Sequence, residues 1–122
     1  DLGPLVGRFA QAYRAKVARW QGRLEDLRQR GRRTLLWGAG SKGVSFVNTL
    51  KAGEAVAALI DLNPHKQGRF VPGTGHPVLA PATLKAQPSD AVIVLNPQYR
   101  DEIAADLKAI GIRAEILVDE DP

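Results

Sequence analysis

Leu5, Phe9, Tyr13, Val17, Trp20, Leu24 and Leu27 recur at intervals of three and four residues, with arginines between them. That spacing is the apolar face of a long amphipathic helix. Gly31 stands where such a helix ends in a left-handed C-terminal cap. Beyond it the period changes to short apolar runs alternating with helical stretches. Thr34–Trp37, Val56–Ile60, Ala91–Leu95 and Ala114–Val118 read as four strands, and Ser41–Leu50 and Pro81–Ala86 as helices. A further helix is opened by Asn96 as its N-cap, with Pro97 at the first position. It carries Ile103, Leu107 and Ile110 on one face and stops at Gly111.

Alternation of helices with near-continuous apolar strands predicts an α/β domain, its parallel sheet covered on both faces and its crossovers right-handed. The expected strand order is 2-1-3-4. It places a crevice at the carboxyl edge, where the order reverses between the first and third strands. The Pro/Gly-rich stretch Leu62–Pro77 reads as a connection without secondary structure, of a length that is usually functional or disordered. The chain thus divides into a linking helix over residues 1–33 and an α/β domain over 34–122.

Composition narrows the function. The 122 residues are 44% hydrophobic and 25% charged, as in one ordinary globular domain. No apolar run approaches the roughly 18 residues of a membrane span, and no secretory leader is visible, so the expectation is a cytoplasmic protein with no membrane partner. There is no cysteine and no methionine. The first excludes disulfides, thiolate zinc and a cysteine nucleophile; the second makes the chain read as a piece of something longer. Nine of the 17 basic residues fall within residues 1–33 against three acidic ones, so the net charge of +4 belongs to the helix and not to the body. Its aromatics lie on the apolar stripe rather than free to stack, which argues against a nucleic-acid surface.

The sharpest local pattern is Gly38-Ala39-Gly40-Ser41-Lys42-Gly43, a G-x-G-x-x-G run between a predicted strand and a predicted helix. Gly38 permits the tight turn, Gly40 lets a diphosphate approach the backbone, and Gly43 lets helix and strand pack closely. The helix N-terminus offers free N–H groups and partial positive charge to an anion, and Lys42 adds a cation. Asp61 ends the second strand about 20 residues on, where a ribose-binding acid stands in dinucleotide sites; it serves equally as a cap for the loop at Asn63 and Pro64. Asn96, Tyr99 and Arg100 should lie on the same rim. An arginine in a helix's first turn opposes the dipole, so Arg100 is either a ligand contact or simply solvated. His65, Lys66, Arg69 and His76 could face an anion across the crevice, or belong to an ordered surface loop. Two histidines without a third ligand make no metal site, and no serine sits in a nucleophile elbow.

Three segments in order, Trp37–Gly43, Asp61–Thr74 and Asn96–Ile103, give the chain a family likeness. It resembles the C-terminal domain of S-adenosylmethionine-dependent C-methyltransferases that act on nucleotide-linked deoxy-keto-sugars. The resemblance covers about residues 34–117 and implies a Rossmann-like domain that closes over the active site from the far side. It further implies a zinc domain and a methyl-donor domain preceding it, which would hold S-adenosylmethionine and the general base. On this reading the chain has no cofactor of its own and is catalytically silent. Its partners are a nucleotide-linked sugar and the S-adenosylmethionine-binding domain of the same chain. Leu36-Trp37 stands where a donor-binding strand typically ends in an acid, so the glycine run does not look like the donor loop.

The resemblance assigns substrate contact to Gly38, Gly40, Ser41, Lys42, Gly43, Asp61, Asn63, His65, Lys66, Asn96, Tyr99 and Arg100. Two rivals stand beside it: a nicotinamide- or other dinucleotide-binding module, for which only four strands leave no second half, and a structural brace that binds nothing.

Overall fold

The computed structural model describes residues 3–119. Helix α1 (Gly3–Gln29) leads into strand β1 (Thr34–Trp37), helix α2 (Ser41–Thr49) and strand β2 (Val56–Ile60). Strand β3 (Val78–Leu79), strand β4 (Ala91–Val94), helix α3 (Arg100–Ile110) and strand β5 (Glu115–Val118) complete it. Every strand pairing is parallel.

The sheet has five strands in the order β3-β2-β1-β4-β5, which corrects both the expected count of four and the order 2-1-3-4. The added strand is Val78–Leu79, which pairs with Leu59 and Ile60 at the edge beyond β2. Two residues following a proline are too few to show a period, so nothing in the pattern announces them. The order still reverses about β1, which lies between β2 and β4, and the crevice falls there.

Adjacent strand residues face opposite layers. Leu36, Leu59, Ile93 and Leu117 pack against Trp20, Leu24 and Leu27 of α1 and Val47 of α2. Leu35, Ala58, Ile60, Val92 and Val94 pack on the other side against Leu84, Ile103 and Leu107. The short helix expected over Pro81–Ala86 is a 3-10 helix, Pro81–Lys85, and it seats the fully buried Leu84 under the sheet.

Only the second half of the α1 stripe is covered. Trp20, Leu24 and Leu27 are buried, whereas Tyr13 is 49% and Phe9 77% exposed; the Leu5 side chain lies outside the described residues. Length explains this: 27 helical residues span about 40 Å at 1.5 Å each, whereas strands of four or five residues reach only about 17 Å. Arg23 lies over the Trp20 ring at 4.5 Å, and Lys16 pairs with the buried Asp119 at 2.7 Å. Gly31 (φ +69°) and Gly111 (φ +81°) end α1 and α3 in the left-handed conformation. There the N–H of the following residue returns to a carbonyl one turn back: Arg32 to Leu27 and Ile112 to Leu107. Among the described residues no helix is long and apolar enough to cross a membrane.

Candidate functional site: the cleft between β1 and β4

The turn after β1 is glycine-rich for two separate reasons. Gly38 has φ +114°, a conformation side chains resist, and its N–H reaches the Ile60 carbonyl at 2.6 Å. Gly43 is buried, and a Cβ there would overlap the Gly38 carbonyl oxygen. Gly40 differs from both. Its φ is −76°, open to any residue, and the nearest atom to a Cβ placed on it would be the Lys66 Nζ at 3.8 Å. The fold does not require glycine at position 40; an approaching group would.

Asp61 fixes this turn from the next strand. One carboxylate oxygen accepts the Ala39 N–H at 2.9 Å, and the other accepts the Asn63 N–H at 2.8 Å. With Ala39 so engaged and no side-chain cap on α2, the N–H groups of the first turn, at Ser41, Lys42 and Gly43, remain the ones a helix cannot satisfy from within. Lys42 reaches across the reversal in strand order, its Nζ donating to the Leu95 carbonyl at 3.2 Å.

The stretch after β2 carries no helix or strand, as expected, and is an ordered loop built from its own turns. Asn63 Oδ1 accepts the His65 N–H at 3.0 Å, and the Asn63 carbonyl accepts the Lys66 N–H at 3.0 Å. The Gln67 amide returns to the Asp61 carbonyl at 2.8 Å. Val71 is buried, Phe70 and Pro77 form an antiparallel bridge, and Asn48 of α2 donates to the Pro72 carbonyl at 3.1 Å. His76 takes no part in the crevice: its ring nitrogens lie 2.6 Å from Thr74 Oγ1 and 2.9 Å from the Gly53 carbonyl. Arg69 donates to the His65 carbonyl at 2.8 Å. The turn 63–67 thereby sets Lys66 over Gly40.

A cleft of about 360 Å³ opens between the β1–α2 turn and the β4–α3 turn. Of the residues singled out from the sequence, Gly38, Gly40, Lys42, Gly43, Asn96 and Tyr99 line it. Ser41, Asp61, Asn63, His65, Lys66 and Arg100 do not; they stand around it on the same edge of the sheet. Asn96 is not the side-chain cap expected of it. A 3-10 turn over Pro97–Tyr99 brings the Tyr99 N–H onto the Asn96 backbone carbonyl at 3.1 Å, and α3 proper begins at Arg100. The tighter turn satisfies the backbone itself and leaves the Asn96 side chain to the cleft wall. Arg100 pairs with Asp101 at 3.3 Å, both exposed.

Sequence reasoning missed Trp37, Leu62, Glu102 and Asp106, which also line the cleft. For the two acids there was a signal: Glu102 and Asp106 are four apart in a helix whose other face carries Ile103 and Leu107, so they share one exposed side. Among the described residues no cluster of three or more metal-ligating side chains occurs. At the end of β1 stand Leu36 and Trp37, neither with a carboxylate, and the nearby Asp61 carboxylate accepts two backbone N–H groups.

The fold is a mixed α/β domain with an all-parallel sheet, a glycine turn after β1 and a cleft where the strand order reverses. The chain matches the C-methyltransferase C-terminal domain family over residues 6–118, and it belongs to that family. No curated protein matches it.

Proposed function

We propose that this domain is the substrate-side part of an S-adenosylmethionine-dependent C-methyltransferase. It holds the diphosphate of a nucleotide-linked keto-deoxysugar against the glycine turn and forms one wall of the reaction cleft. The observation that carries this reading is the placement of the Lys66 ammonium near Gly40, at the turn that carries Lys42 and opens the side-chain-uncapped N-terminus of α2. Two ammonium groups without a carboxylate partner among the described residues, a helix N-terminus and a position bare of side chain together suit a doubly charged anion.

The roles follow from position. Gly38 and Gly43 shape the turn, and Gly40 admits the diphosphate. Lys42 and Lys66 neutralise it, Asp61 and Asn63 hold turn and loop in register, and Asn96 and Tyr99 contact the remainder of the ligand. Ser41, His65 and Arg100, exposed on the same edge, are available to groups that extend beyond the cleft. S-adenosylmethionine and the base that removes the proton beside the keto group belong to other domains of the enzyme, and this chain alone is inactive.

The test is an amide-resolved NMR titration of this chain with a thymidine-diphosphate sugar, NAD and S-adenosylmethionine in turn. Shifts at residues 38–43, 66 and 96–100 with the sugar nucleotide alone are expected. Equal shifts with NAD would move the assignment to a dinucleotide module, and silence with all three would favour a brace.

A further inference from the structure

The two edges of the sheet are finished differently. At β3 the outward main chain of Val78 is already bonded: its carbonyl accepts the Gly68 N–H at 2.8 Å, and its N–H reaches the Arg69 carbonyl at 2.9 Å. The loop after β2 thus closes that edge. At the other edge β5 pairs with β4 alone. The Glu115 and Asp119 N–H groups point inward, to the Asp90 and Val94 carbonyls. Alternation then turns the main-chain groups of Ala114 and Ile116 away from the sheet. An open edge is a template for another strand, commonly blunted by lysine, proline or a bulge. Ile112–Val118 holds no lysine or proline, and the β4–β5 register is unbroken. Beside the edge a cavity of about 510 Å³ separates it from α3, and Ile112, Ala114 and Ile116, only partly buried, line it. Arg113 and Glu115 are exposed. Among the described residues neither takes part in an ion pair or a side-chain hydrogen bond.

We propose that β5 pairs antiparallel with β5 of a second copy of this chain, about a two-fold axis at Ala114, joining the two sheets into one. Self-complementarity selects both the partner and the register. An axis at Ala114 sets Arg113 of each copy opposite Glu115 of the other, two opposite-charge pairs made from unpaired groups. It also sets Ile112 opposite Ile116, so that apolar side chains from the second copy enter the cavity beside α3. Ala114 exchanges two main-chain hydrogen bonds with its counterpart, and each Ile116 N–H meets an Ile112 carbonyl. The Ile112 N–H stays with the Leu107 carbonyl. An axis at Ile116 would instead set Glu115 against Leu117, and Arg113 against Asp119, which Lys16 already holds. So short a ladder makes a small interface and a concentration-dependent dimer.

Sedimentation equilibrium of this chain tests the pairing. The mass should rise with concentration from 13.2 kDa toward twice that value. Glu115→Arg sets arginine against arginine at both pairs and should weaken the dimer about tenfold, and Arg113→Glu should do the same with two acids. The double swap R113E/E115R rebuilds both pairs and should restore the dimer. An equal mixture of the two single variants should restore it too, since each then finds its complement only in the other. Glu115 lies near Arg23 and Arg30 of α1, so circular dichroism accompanies Glu115→Arg, and Arg113→Glu with the double swap carries the test if that variant unfolds. A mass of 13.2 kDa at every concentration, millimolar included, overturns the proposal and leaves the edge to a strand of some other chain. A dimer that Arg113→Glu does not weaken, or that the double swap does not restore, overturns it as well.

Discussion

The Asp61 carboxylate accepts the Ala39 N–H at 2.9 Å from one strand away, and its second oxygen holds the Asn63 N–H at 2.8 Å. One side chain therefore sets both the glycine turn and the start of the loop that carries Lys66. Asp61→Ala strands two backbone donors and should cost about 1–3 kcal/mol, read as a lower urea midpoint at unchanged slope. Asp61→Asn, which keeps one acceptor, should lose less. Amide shifts in Asp61→Ala should reach Lys66 as well as Ala39.

The glycines of the turn should separate by their reasons. Gly43→Ala forces a Cβ into the Gly38 carbonyl, an overpacking expected to cost about 1–3 kcal/mol. Gly40→Ala meets ordinary space and an allowed φ, so its stability should stay within about 0.5 kcal/mol of the unchanged chain. Thermal unfolding of the two variants side by side measures the contrast. Gly40→Val should leave the fold intact and weaken sugar-nucleotide binding.

Lys42 and Lys66 should act on affinity more than on stability. Removal of either ammonium should weaken a thymidine-diphosphate sugar by about 1–3 kcal/mol, the range for a charge-assisted contact. Raising the salt concentration should shrink that loss if the contact is partly exposed. Calorimetry at two ionic strengths gives both quantities.

Arg28 hydrogen-bonds the Glu25 carboxylate on α1 and holds its pKa below the ordinary 4.5. A carboxyl with a lower pKa folded than unfolded adds stability above the unfolded value, and the gain disappears as the pH falls through the folded one. The pair lies at the surface, so the contribution is slight; the titration itself is the better measurement. Arg28→Ala should move the Glu25 carboxyl pKa upward in a carbon-detected NMR titration.

What could be read from the chain was whatever repeats or sits at a fixed offset. The strand–helix alternation, the glycine caps at Gly31 and Gly111, and the glycine turn after β1 each have a local cause, and each is where its residues imply. Features that depend on distant partners were not legible. Val78–Leu79 becomes a strand because β2 has a free edge beside it. His76 faces Gly53 and Thr74 because Val71 and Asn48 pin the loop against α2. Half of the α1 stripe stays uncovered because the sheet is shorter than the helix, which no hydrophobic period can express. At the cleft, Gly38, Gly40, Lys42, Gly43, Asn96 and Tyr99 line the cavity, and Trp37 and Leu62 line it without having been singled out. Their part depends only on which strand ends come together.

The Lys16–Asp119 pair joins the first element of the chain to the segment just after the last strand. Within this domain α1 is made before the sheet it lies against, and Lys16 has no Asp119 to pair with until β5 is in place beside β4. Closing so long a loop brings no return until the sheet is otherwise complete. Within the domain, the earliest helix is thus fastened at Lys16 only when the last strand has been made.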